Sequence, residues 1–446
     1  MRFFFAFFSL GMPVYVSKVD VREKTRESEA CVQPRGSQTS PSSSLWLREK
    51  FFPKSLSLSQ PPMMALRGER EFLIDEYGTS FLDTRNNVPI LGHSDPRVAE
   101  AICQQARLLS TNTRYLHPNL GLLAEALSSI LPPELGKFLF VNSGSEAVDL
   151  ALQLARIHIK SHRVIALSRA YHGTTFACKA VSESVHAGAL FLENWVSVVP
   201  CPDLLNGPCR SVDECVAQVE QASSPCASFI VESVLSVGGG VFMPAQYLSR
   251  TFTTVRNRGG VCICDETQVG LGRTGRWWAF EWEGVVPDIL VIGKQLGNGF
   301  PIAAVVFNEA ISKSLEDSKI PFFSTYAGST LACAAGLATV RGLIEERAPE
   351  RAAHTGTSVL QQIRQQLGEC PNFIADIRGR GMYIAIEFVS PSVSRAVQEF
   401  LFLNEKILTS LDGPSKRVMI VKPPLCFTED SGARFALALR RSLRNL

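Results

Sequence analysis

From Arg70 onward the chain alternates short apolar runs with longer stretches of helical spacing. Phe138–Val141, Val164–Leu167, Phe229–Val231, Val261–Cys264 and Ile289–Ile292 are unbroken apolar runs, each stopped by a polar or turn-forming residue. Runs this short and without alternation read as strands buried on both faces, as in a parallel sheet. After the first run, Ala147, Leu150, Ala151, Leu154 and Ala155 fall at i, i+3, i+4, i+7 and i+8, which predicts a helix. Arg97–Leu109 and Leu331–Glu346 predict two more. Phe72–Thr79 followed by Phe81–Asp83 predicts a hairpin turning at Tyr77 and Gly78. Strands alternating with helices predict an α/β fold with a doubly wound, mainly parallel sheet.

The pattern divides the chain. Residues 1–60 carry no fold signal and read as a disordered or targeting extension. Residues 61–110 are expected to pack with a smaller domain, and 111–335 to form the large one. Residues 336–446, with strands near Ile384–Phe388 and Val418–Val421 and two helices, are expected to form a small α+β domain. Residues 200–226 hold Pro, Gly and Cys without a period and read as a surface excursion. The sequence contains no internal repeat.

Composition narrows the partners. A net charge of +3 gives no electrostatic case for nucleic acid or a membrane surface. No apolar run approaches the ~18 residues of a membrane span. The 12 cysteines include no C-x-x-C pair, so free thiols in a reducing compartment are expected. The extension is rich in Arg and Ser, as transit peptides are, yet Asp20, Glu23, Glu27 and Glu29 are not typical of one. A mitochondrial and a cytoplasmic location both remain open.

The chemistry centres on Gly259–Pro301. One strand run ends at Asp265-Glu266 and the next at Gly293-Lys294, with Gly297-Asn298-Gly299 beyond. Ligands of open α/β sheets sit beyond the carboxyl ends of strands, so an acid and a lysine reach one rim. A desolvated lysine has a lowered pKa and can form a Schiff base with an aldehyde. Pyridoxal 5'-phosphate supplies that aldehyde, and its pyridine nitrogen needs a carboxylate. Lys294 and Asp265 fit those two roles. An ATPase reading of the acid pair would need G-x-x-x-x-G-K-[ST], and neither Gly136-Lys137 nor Gly293-Lys294 is followed by Ser or Thr. Asn142-Ser143-Gly144-Ser145-Glu146, between a strand and a helix, suits a phosphate on free backbone N–H groups; alone, it would equally cap the helix. Tyr171, before His172-Gly173, could stack on a flat cofactor. Thr111–His117 reads as a surface loop in which Arg114 and His117 are available to a substrate anion.

Taken together, these motifs resemble the class III (ω-amino) aminotransferases of the fold-type I pyridoxal phosphate family, over residues 66–446. The likeness is carried by Asn142–Glu146, Tyr171-His172-Gly173, Asp265-Glu266-Thr267-Gln268, Gly293-Lys294 and Thr325-Tyr326. It implies a large mainly parallel domain and a small one built from the C-terminal segment and part of the N-terminal segment. It also implies Lys294 as the Schiff-base lysine, Asp265 on the pyridine nitrogen, Gln268 beside the ring hydroxyl and Tyr171 stacked on the ring. Ser143, Gly144, Ser145, His172 and Glu232 complete the implied cofactor contacts, with Thr325 reaching the phosphate from a second subunit. A homodimer, or a tetramer, follows. Three stretches resemble the phospho-lyases of ethanolamine phosphate and 5-phosphohydroxy-lysine: Asn86-Asn87-Val88, Thr111–His117, and Asp412-Gly413-Pro414 with Lys422–Glu429. Asn87, Arg114, His117 and Lys422 are the implied contacts to a phosphorylated amine. Many class III aminotransferases place a gating glutamate at the position of Val237 and its arginine near Ile420. Related phospho-lyases often carry a lysine at the latter, and this chain has neither. Aminotransfer to pyruvate or glyoxylate is the alternative reaction, and a non-catalytic binding protein the alternative class.

Overall fold

The computed structural model describes residues 41–56, 61–185, 191–223, 226–368 and 370–446. The expectation for residues 1–40 and 57–60 lies outside the described residues. Met1–Met63 and Met64–Leu446 form two units. In the first, Pro41–Phe51 is helical with no buried residue, where no element was expected.

In the second unit the apolar runs form a seven-stranded sheet. Its order is Lys137–Val141, Ala303–Phe307, Ile289–Ile292, Cys262–Asp265, Ser228–Glu232, Val164–Leu167, Val196–Val199. The neighbours from Ile289–Ile292 to Val196–Val199 pair in parallel. Ala303–Phe307, not anticipated, runs antiparallel to both of its neighbours. Successive residues of each run point to opposite faces: Cys262, Cys264, Leu290 and Ile292 join one apolar cluster, whereas Ile263, Ile289 and Val291 join another. Burial on both faces is what unbroken runs require. Cys262 and Cys264 are therefore packing residues, and the described cysteines are all free thiols.

Two sequence-based expectations are corrected. Residues 200–226 include a helix, Val212–Ala222, capped by the Ser211 hydroxyl and burying Cys215, Val216 and Val219. The division expected at 335 falls inside the helix Thr330–Glu345, and the chain turns instead at Arg347, whose φ is +50°. After that turn come the helices Ala348–Leu367, Pro391–Leu403 and Glu429–Arg444 and a four-stranded antiparallel sheet that includes Tyr383–Phe388 and Val418–Val421. The N-terminal segment is tied to this part. Its hairpin strand Ser80–Asp83 pairs in parallel with Ile407–Leu408, and the Lys422 N–H donates to the Thr84 carbonyl at 2.8 Å. No helix among the described residues is long and apolar enough to cross a membrane.

Candidate active site

Because the strands ending at Val141, Leu167, Glu232, Asp265 and Ile292 point the same way, their carboxyl ends share one rim. A cavity of about 140 Å³ opens there, lined by Gly144, Ser145, Tyr171, His172, Gly173, Asp265, Thr267, Gln268 and Lys294. Four of these strand ends thus supply the lining of a single pocket, as the rule for open sheets demands.

Asp265 forms the floor. Its Oδ2 lies 2.9 Å from Nδ1 of His172, and Oδ1 accepts the Thr267 N–H at 3.0 Å. Burial pushes this carboxyl up, but the His172 hydrogen bond and charge and the Thr267 amide more than offset it. The pKa ends below the usual carboxylate range. Asp265 is a buried anion held ready for a cationic partner. Nε2 of His172 is buried with no partner among the described residues.

Lys294 faces Asp265 across the cavity. Its φ of +40° places a side-chain-bearing residue in the left-handed region, at the start of the 3-10 turn Lys294–Gly297. Such backbone costs about 1–3 kcal/mol and persists where the surroundings enforce it. Here the enforcement is the approach of Gly293 to Gly144: a Cβ on Gly293 would lie 3.3 Å from the Gly144 Cα. Burial lowers the Lys294 pKa, and the charges of Asp265 and Glu232 only partly restore it.

The far end of the cavity is built from amides. The Ser143 hydroxyl accepts the Glu146 N–H at 3.2 Å and so caps the helix Gly144–Ile159. That leaves the Gly144 and Ser145 N–H groups, at the positive end of the helix, without acceptors among the described residues. Beside them the Thr267 hydroxyl is buried, with no well-aligned hydrogen bond to a described residue. Gly173, at φ +133°, runs so close that a Cβ would sit 2.3 Å from the Ser145 hydroxyl, which itself accepts the Thr174 N–H at 3.0 Å. Gly173→Ala is expected to displace that hydroxyl and weaken cofactor binding about 10- to 100-fold, the worth of a hydrogen bond to a charged group. Titration of the apoprotein with cofactor checks it.

Not every expected residue faces the cavity. Ser143 is an exposed helix cap. Glu232 lies behind Tyr171, accepting the N–H groups of Tyr171 at 2.9 Å and Ser236 at 3.3 Å, and burial pushes its pKa up to about 7. It holds two loops rather than touching the pocket. Asn87 spends its amide N–H group on the carbonyl and Oε1 of Gln268, at 2.9 and 3.0 Å. The His117 ring caps the helix Pro118–Ser128 through Nδ1, and the Arg114 guanidinium stacks 4.1 Å over the Phe323 ring. Thr325 is exposed on its loop. Of the four implied substrate contacts, only Asn87 and Lys422 touch a cavity residue, and both touch Gln268. Sequence reasoning did not single out Gly173 and Thr267 as lining residues, although both stand inside the motifs it used.

A buried anion opposite a lysine, with helix amides and a buried hydroxyl at the other end, fits the ring nitrogen, aldehyde and phosphate of pyridoxal phosphate. Residues 57–443 match the aminotransferase class-III family. The chain belongs to that family. It is similar to the alanine–glyoxylate aminotransferase 2-like protein of Drosophila melanogaster, at 36% identity over 410 residues, covering 86% of this chain and 82% of that one. It is also similar to the ethanolamine-phosphate phospho-lyase homolog 1 of Caenorhabditis elegans, at 35% identity over 421 residues, covering 86% and 89%. Among solved structures, a phospholyase from Arthrobacter in complex with phosphoethanolamine superposes with a TM-score of 0.85 at 29% identity, covering 90% of this chain and all of that one. As a class III member the chain is a pyridoxal-phosphate-dependent enzyme of the fold-type I architecture.

Proposed function

We propose that this enzyme eliminates phosphate and ammonia from a phosphorylated amine such as O-phosphoethanolamine or 5-phosphohydroxy-lysine, leaving an aldehyde. The observation that carries the reading is the packing at Val237 and Ile420. Ile420 is fully buried in an apolar cluster with Val234, Tyr383 and Val418, and Val237 is half-buried, so no glutamate–arginine gate for an acceptor carboxylate stands there. Lys422 follows two residues later, just past the end of the strand Val418–Val421. It is a cation that reaches a cavity residue, and its Nζ lies 3.2 Å from the Ser236 hydroxyl and 3.4 Å from Gln268 Oε1. An ammonium has three donors, so one remains for a substrate anion.

Pyridoxal phosphate, when bound, supplies the aldehyde that captures the amine and the ring that takes up an electron pair. Asp265 would hold its negative charge against the pyridine nitrogen. Lys294 would remove the proton from the carbon bearing nitrogen. A phosphate ester one carbon away then departs with its bonding electrons, and water completes the release of ammonia and aldehyde.

The enzyme works as a homodimer in this reading. Support comes from Thr325 and Tyr326 on one exposed loop and Tyr115 and Leu116 on its neighbour, with Leu116 fully exposed. Loaded enzyme given O-phosphoethanolamine without a keto acid is expected to release phosphate and ammonia in equal amounts. Turnover that requires added pyruvate or glyoxylate would instead make it an aminotransferase.

A further inference from the structure

The amide of Gln268 can be oriented without ambiguity. The Gln268 backbone carbonyl only accepts, so the atom of Asn87 that lies 2.9 Å from it must be the donor Nδ2. That same Nδ2 lies 3.0 Å from the Gln268 side chain, which must therefore present its oxygen. Lys422 Nζ, which can only donate, meets the same oxygen at 3.4 Å. Two donors on one face force the N–H₂ of Gln268 to the other, and Gln268 lines the cavity. All three side chains are buried, which removes water as a competing partner.

We propose that Lys422, with Asn87, is a positioning residue that locks the Gln268 amide with its donor side toward the cofactor ring and, by polarising it, strengthens that donor. This rests on the cofactor reading of the cavity and is the same whether the reaction is elimination or aminotransfer. A cation on the carbonyl end of an amide draws electrons from its nitrogen, as cooperative hydrogen-bond chains do. An amide donating to the cofactor's ring hydroxyl favours the ionised ring oxygen. The charges around Lys422 are Asp412, from the adjoining strand, Lys294, Arg273 and Glu232. Asp412 and Glu232 favour its charged form, and the two cations oppose it.

The visible absorbance of the cofactor-loaded enzyme, titrated with pH and without substrate, reads the effect directly. Lys422→Met is expected to move the titration up by about one unit, the lower range for a nearby charge. Lys422→Arg keeps the charge and is expected to stay near the wild type. In a Gln268→Leu background, Lys422→Met is expected to move the titration much less, since the amide that relays the effect is gone. Equal shifts with and without Gln268 would mean the charge acts through space, and would overturn the lock. An unmoved titration with a raised KM for O-phosphoethanolamine would also overturn it, assigning Lys422 to the substrate alone. Should Lys422→Met fail to fold, Asn87→Ala removes the other donor and is expected to shift the titration upward by a smaller amount. No shift there sinks the proposal.

Discussion

Lys294→Ala is expected to cut turnover by on the order of 10²- to 10⁴-fold, the contribution of a positioned proton-transfer group, and to abolish the visible band of the bound cofactor. The fold should survive. The Lys294 side chain makes no hydrogen bond to a described residue, and alanine meets the same left-handed backbone, so no partner is stranded and no strain is added. Thermal unfolding of the apoprotein is expected within about 3 °C of wild type. In the wild type, burial holds the Lys294 pKa below the usual lysine range. Activity should therefore rise with pH as this amine loses its proton and level off above that value. Substantial turnover in the alanine variant would assign the proton transfer elsewhere, and Lys422, whose pKa burial brings down to about 8, is the neighbouring amine able to take it.

What the sequence made legible was the rim. Apolar runs mark strands buried on both faces, and the pocket is lined by residues at or just beyond the ends of four of those runs, because a parallel sheet puts its carboxyl ends on one side. Asp265, Lys294, Gly144 and Tyr171 were found by that logic. Ala303–Phe307 escaped it because the strand returns antiparallel after a single short turn at Lys294–Gly297, with no intervening helix to signal it. The helix Val212–Ala222 escaped because its buried face begins with Cys215, a small apolar residue in this setting. The roles of Glu232 and Asn87 were not readable at all. Nothing in a one-dimensional pattern distinguishes a carboxylate that faces a pocket from one that ties two loops together behind it.

Asp265→Asn tests the other half of the site. The amide is close in shape, and the Thr267 N–H can still donate to its oxygen, so the floor is expected to stay in place. What disappears is the negative charge that His172 and Thr267 hold against burial in a dry pocket, where it is worth most. Turnover is expected to fall on the order of 10²- to 10³-fold, the scale of losing one preorganised electrostatic partner. The pH profile supplies a second, independent reading. Asp265 raises the Lys294 pKa in the wild type, so removing its charge lets burial pull that pKa lower still. The rising limb of activity should move to lower pH while its plateau drops. A lower plateau therefore cannot be blamed on a protonated lysine, because more of the lysine is neutral at any given pH. If the plateau holds and only the limb moves, Asp265 tunes Lys294 alone, and the ring nitrogen must find its charge partner elsewhere.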